Sequence, residues 1–162
     1  MLDERQLLRD YAERISIELH PETSFDLPLT VDVLFGARPF TRASYLEGND
    51  LFLMDGRPVR AFLKSYPCNA LLLGNPGAGK SHSLKLYSAT CAGQLQWQIE
   101  ANSTVSIVPI YVDLKRYDGN FGTLVVQALS PSSLDSVVKL GQVHFLVDSF
   151  NEAPRRYLES GI

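Results

Sequence analysis

The stretch Gly74-Asn75-Pro76-Gly77-Ala78-Gly79-Lys80-Ser81 fits the pattern G-x-x-x-x-G-K-[ST] at every fixed position. Each fixed residue has a physical reason to be there. Glycines let backbone N–H groups converge on phosphate oxygens at the start of a helix, where the dipole also favours an anion. Lys80 would set its ammonium between the β- and γ-phosphates of a nucleotide, and the Ser81 hydroxyl would be a Mg²⁺ ligand. Pro76 has no N–H to donate, so it belongs on the side of the turn away from phosphate. With His82 just inside the helix, the candidate nucleotide-binding run is Gly74, Asn75, Pro76, Gly77, Ala78, Gly79, Lys80, Ser81 and His82. The bland alternative is a glycine-rich turn that joins a strand to a helix without any ligand.

A second stretch, Val143-His144-Phe145-Leu146-Val147-Asp148, is an apolar strand ending in an acid. At the carboxyl edge of a parallel sheet, where ligands of open α/β sheets bind, Asp148 could hold Mg²⁺ through its water shell. By itself an Asp at a strand end is a common surface feature. With a phosphate loop upstream, it becomes the other half of a site. Glu152, four residues on in Ser149-Phe150-Asn151-Glu152-Ala153-Pro154, could orient or deprotonate an attacking water, or simply start an exposed helix. The candidate catalytic set is therefore Lys80, Asp148 and Glu152, and the candidate metal set is Ser81 and Asp148.

These groups need elements to position them. From Asn69 onward strands and helices alternate: a strand at Ala70–Leu73, then a helix at Lys80–Ala101 with Leu84, Leu86, Tyr87, Cys91, Leu95 and Ile99 able to face a core. A strand at Val105–Leu114, apolar on both faces, suggests a central parallel position. Short helices at Gly122–Leu129 and Ser132–Leu140 flank Pro131, and a last strand spans Val143–Val147. This βαβαβ order calls for an α/β fold with a parallel sheet and helices on its faces, and with the glycine-rich loop ahead of it the expectation is a P-loop NTPase sheet with flanking helices, incomplete after the Asp148 strand. Ahead of it, residues 1–66 read as a small, mostly helical N-terminal and linker region, leaving residues 67–162 as the nucleotide-binding domain. That region holds an amphipathic helix over Leu2–Leu19 ended by Pro21, and a lone strand at Thr30–Phe35. A short strand after Asn49, an Asp55-Gly56 turn and a helix from about Pro58 to Ser65 complete it.

Length and composition exclude several classes. A chain of 162 residues is long enough for one buried core, and 45% hydrophobic with 20% charged residues is an ordinary globular balance. A net charge of −3 supplies no positive field to gather a phosphate backbone, so nucleic acid is not expected as a general partner. Asp3 and Glu4 stand where a signal peptide would be basic, and no run approaches the roughly 18 apolar residues that span a bilayer. Two cysteines, Cys68 and Cys91, are too few for a disulfide framework. The expectation is a cytoplasmic protein with no membrane partner.

The loop GNPGAGKS, the segment VPIYVDLKRYDGN and the strand end FLVDSFNEAP together resemble the NACHT domain, a branch of the STAND signalling NTPases. The resemblance covers about Cys68 to Pro154 and implies binding of ATP or GTP with Mg²⁺ at the loop and Asp148. Two departures stand out: Ser149 where glycine is usual, and Asn151 where aspartate is more familiar. One acid fewer weighs against hydrolysis more than against binding, so the implied enzyme is a slow NTPase, or a module that holds nucleotide as a lock. The resemblance also implies a switch from a closed monomer to a homo-oligomer, and a sensor for an unknown ligand beyond Ile162. A further strand would lie between the Asp148 strand and the loop strand, so the chain reads as the N-terminal portion of a longer protein, poorly stable by itself. A competing resemblance is GKSH at Gly79–His82, similar to the GKTH of AAA+ helicase loaders and transposition helpers that act on DNA. Lys115 and Arg116 are expected to face solvent rather than a ligand.

Overall fold

The computed structural model describes residues 4–20, 30–35, 52–58, 72 and 77–154. In chain order the elements are α1 (Glu4–Glu18), β1 (Thr30–Phe35), β2 (Phe52–Pro58), α2 (Lys80–Glu100), β3 (Ile107–Asp113), α3 (Phe121–Leu129), α4 (Leu134–Leu140) and β4 (Gln142–Asp148). Short 3₁₀ turns, Leu114–Arg116 and Phe150–Glu152, follow β3 and β4. The chain divides into two compact units, one of Met1–Ser24 with Gly74–Ile162 and one of Phe25–Leu73.

In the smaller unit β1 and β2 pair antiparallel, from Thr30 opposite Pro58 to Phe35 opposite Phe52. The Thr30–Phe35 strand is thus not alone. Val31 faces Arg57 and Val33 faces Met54, so β2 carries one residue more than β1 over that interval. Asp55-Gly56 therefore lies at a β-bulge inside a strand, and the turn expected there is corrected: a flexible pair can absorb an extra residue as well as reverse the chain. Pro58 ends β2 and so does not open a helix; the rest of the helix expected to Ser65 lies outside the described residues. The described part of residues 1–66 therefore holds the helix α1 and the β1–β2 strand pair.

The larger unit is α/β. β3 and β4 pair parallel with an unbroken register from Ile107 opposite Gln142 to Asp113 opposite Asp148, which brings two carboxylates to one sheet edge. Among the described residues β3 pairs with β4 alone, so the central position expected for it is not seen there. Pro109, which cannot donate to a ladder, suits an edge, and its carbonyl accepts from the Tyr11 hydroxyl of α1. Of the strand expected at Ala70–Leu73 only Leu72 is described, half-buried and in neither helix nor strand.

α1 buries Leu8, Tyr11, Ala12 and Ile15, the i, i+3, i+4, i+7 face that its sequence dictates. They join one core with Ala92 and Leu95 of α2, Val108, Ile110 and Val112 of β3, and Leu124, Val125 and Leu129 of α3. Each fully buried aliphatic side chain contributes roughly 1.5–3 kcal/mol. Arg14 adds donors to the carbonyls of Ala128 and Ser130 at 2.6 and 3.0 Å. α1 thus belongs with the sheet, and a boundary at residues 66 and 67 cuts across a compact unit. α2 buries Ser83, Tyr87, Cys91 and Leu95 at four-residue steps, with Ser88 and Ala92 alongside, so its apolar face is broad. Asn120 and Ser133 cap α3 and α4, accepting from the N–H of Thr123 and Ser136 at 3.3 and 3.2 Å. At Gly141, which leads into β4, a Cβ would stand 2.7 Å from a Val105 methyl, so the chain passes there only because the side chain is missing.

Candidate functional site

α2 opens without a side-chain cap. Its cap residue Gly79 has φ 81° and ψ 14°, and Gly77 has φ 78°, both in the left-handed region that glycine enters at little cost. The first hydrogen bond of the helix runs from Ser83 N–H to Gly79 C=O at 2.9 Å. Lys80, Ser81 and His82 fill the first turn, Lys80 and His82 half-buried and Ser81 exposed. Gly74, Asn75 and Pro76 lie outside the described residues.

β4 delivers Asp148 to this helix end. The Ser81 hydroxyl donates to Asp148 Oδ1 at 2.9 Å, although the two residues are 67 positions apart. Ser149 N–H donates to the same oxygen at 2.8 Å, and the Tyr111 hydroxyl of β3 donates to Oδ2 at 2.7 Å. Asp148 is only 8% exposed. Burial pushes its carboxyl upward, but the hydrogen bonds from Tyr111, Ser81 and Ser149, with the positive charge of Lys85, outweigh burial and hold it below its ordinary value. It is an anion at neutral pH. Burial, the bond to Asp148 and the charges of Asp148 and Asp113 all push the Tyr111 phenol upward, so it stays protonated and remains a donor. Lys85, one turn beyond Ser81 on the same face of α2, places its ammonium 6.0 Å from the centre of the Tyr111 ring.

The residues after Asp148 are arranged differently. Ser149 has φ 61° and ψ 31°, a left-handed conformation that costs a serine and suits a glycine. Glu152 sits on the 3₁₀ turn at the surface, its carboxylate 3.0 Å from Lys115 Nζ, both side chains about half exposed. The structure therefore brings Ser81 and Asp148 together and gives Glu152 to Lys115. Lys115 and Arg116 do face solvent. The Lys115 ammonium is pushed upward by the Glu152 hydrogen bond and charge, with Asp113 and Asp148 adding to it. On the α2 side of β4, His144 Nδ1 lies 3.3 Å from the Tyr87 hydroxyl, and desolvation pushes the imidazole below its ordinary value.

Two side chains at this edge escaped the sequence reading, Tyr111 and Lys85, as did the pairing of Lys115 with Glu152. The available signal was parity. In a parallel pair, opposed residues share a face, so Asp113 opposite Asp148 puts Tyr111, two residues earlier, on the Asp148 face. The register that makes this usable is a tertiary fact.

Among the described residues, no group of three or more His, Cys, Asp and Glu side chains is placed to cage a metal ion. Ser81 and Asp148 are nevertheless hard oxygen donors side by side, the donor type Mg²⁺ takes when water and phosphate complete its shell. No helix among the described residues is long and apolar enough to cross a membrane. Comparison of the chain with known protein families, with curated proteins and with solved structures finds no match.

Proposed function

We propose that this chain binds a nucleoside triphosphate, ATP or GTP, with Mg²⁺ at the start of α2 and uses it as a signalling switch of the NACHT type. The observation that carries the reading is the 2.9 Å hydrogen bond between Ser81 and Asp148. It joins two stretches distant in sequence, each of which alone offers half of the chemistry a phosphate–metal site needs. The glycine-led, uncapped first turn of α2 supports the same reading, because N–H groups without a side-chain acceptor suit an anion.

In this reading the first turn of α2 and the Lys80 ammonium hold the phosphates, and Ser81 with Asp148 holds the cation. A Mg²⁺ ion held by Ser81 and Asp148 would supply positive charge to offset that of the phosphates. Asp148, already ionised, gives up no proton on binding. Closure around the nucleotide would then favour an oligomeric form over a closed monomer.

The Lys115–Glu152 ion pair favours retention of nucleotide over rapid turnover, because the acid best placed in sequence to activate water is engaged by a cation. The test is titration of the chain with fluorescent mant-ATP and mant-GTP in MgCl₂, followed by assay of phosphate release. Lys80→Ala is expected to abolish binding. Glu152→Gln is expected to keep binding and remove whatever slow hydrolysis exists. Wild-type protein that binds neither nucleotide, or Lys80→Ala that binds as well as wild type, sinks the reading.

A further inference from the structure

Asp148 has two oxygens with different company. Oδ1 receives Ser81 and the Ser149 N–H, and faces the start of α2. Oδ2 receives the Tyr111 hydroxyl at 2.7 Å, a hydrogen bond to an ionised acceptor and therefore one of the stronger kind. Tyr111 is held in turn. Its backbone is fixed in the unbroken β3–β4 register opposite Leu146, and Lys85 from α2 lies over its ring. A carboxylate held in this way cannot rotate to offer both oxygens to one cation without breaking the tyrosine bond.

We propose that Tyr111 is a positioning residue for the cation site: by occupying Oδ2 it orients Asp148 so that Oδ1, beside Ser81, is the oxygen presented to Mg²⁺. This rests on the nucleotide-binding reading above and adds a residue outside the loop and the Asp148 strand. Tyr111 touches neither nucleotide nor metal. Its effect belongs in metal affinity rather than in nucleotide contacts, because groups that orient metal ligands commonly change affinity for the metal by tenfold or more.

The experiment measures mant-ATP affinity of the full chain across a MgCl₂ series and in excess EDTA, for wild type, Tyr111→Phe, Asp148→Asn and the double variant. Phenylalanine keeps the ring and loses only the hydroxyl, and near-ultraviolet circular dichroism with a thermal melt reports whether the variant is folded. The half-saturating Mg²⁺ concentration is expected to rise about tenfold in Tyr111→Phe, with affinity in EDTA unchanged. In the Asp148→Asn background the Tyr111→Phe change is expected to have no further effect, since a residue acting through Asp148 must be silent without it. A folded Tyr111→Phe protein with wild-type Mg²⁺ dependence overturns the proposal and leaves the nucleotide-binding reading standing. Equal losses with and without Mg²⁺ also overturn it, as does an effect that persists beside Asp148→Asn. If wild type binds no mant-ATP, the nucleotide-binding reading fails and the proposal falls with it. Where Tyr111→Phe is unfolded, Tyr111→Met, which also removes the hydroxyl and fills the half-buried site with a flexible side chain, is expected to raise the half-saturating Mg²⁺ concentration in the same direction; an unchanged Mg²⁺ dependence overturns the proposal.

Discussion

Asp148 and Glu152 are four residues apart and live in different chemistry. Asp148 is buried, ionised and bonded by donors from α2, β3 and its own strand end. Glu152 is half exposed and pairs with an equally exposed cation, Lys115. A buried carboxylate satisfied on both oxygens is a fixed piece of architecture, because losing it strands the donors that were built around it. An exposed ion pair can be made and broken at little cost. The edge of the sheet thus joins a fixed carboxylate to an adjustable one, the combination that the proposed switch, holding nucleotide more readily than consuming it, would need.

The largest effect should come from Asp148. Replacement by Ala leaves the Tyr111 hydroxyl and the Ser149 N–H without their acceptor and should destabilise the chain by about 2–3 kcal/mol in urea unfolding. Glu152→Ala should leave the unfolding midpoint where it was. Equal losses for the two acids would break the contrast between them.

Next in size is Ser149, the hinge between the two acids. Its φ of 61° is tolerated by serine and resisted by a β-branched side chain, so Ser149→Val should cost about 1–3 kcal/mol. Ser149→Gly should be neutral or slightly stabilising, since glycine relieves the left-handed conformation and loses more freedom on folding. A Val variant as stable as wild type would show that the turn relaxes, and that Asp148 is not fixed from behind.

Smaller still is a pH effect at His144, on the same strand. Desolvation lowers the imidazole in the folded chain, so the proton prefers the unfolded chain. Stability should be full above the ordinary value of 6.5 and should fall as pH drops below it. His144→Gln should flatten that slope while leaving the acid loss due to the carboxylates. A wild-type stability curve that is level between pH 7 and pH 5.5 would contradict the burial of His144 against Tyr87.

What could be read without coordinates divides along similar lines. The helix from Lys80 and the strand ending at Asp148 were legible because each carries a local signal, a glycine turn before the helix and an apolar run before the acid. Tyr111 was invisible because its role depends on register, and register depends on β4, some thirty residues further on. α1 was legible as a helix and illegible as part of the sheet's core: its apolar face requires a partner but does not name one. Asp55-Gly56 misled for the same reason, since a turn and a bulge use the same residues and only the opposing strand decides between them.

The smallest stability effect, and the one that most sharpens the contrast, is at Lys115. Both members of its pair are about half exposed, so Lys115→Ala should leave the thermal midpoint unchanged at physiological salt. Function should move where stability does not. If the ion pair withholds Glu152 from water, Lys115→Ala should raise phosphate release without changing nucleotide affinity, and 0.5–1 M salt, by shortening the screening length to a few ångströms, should bring wild type toward the variant. The rise should disappear in Lys115→Ala with Glu152→Gln, because the gain acts through that carboxylate. Unchanged release in Lys115→Ala would mean that the pair is a passive surface contact, and any slow turnover in the proposed switch would then be traced to Asn151, the position where the resemblance leads one to expect an acid.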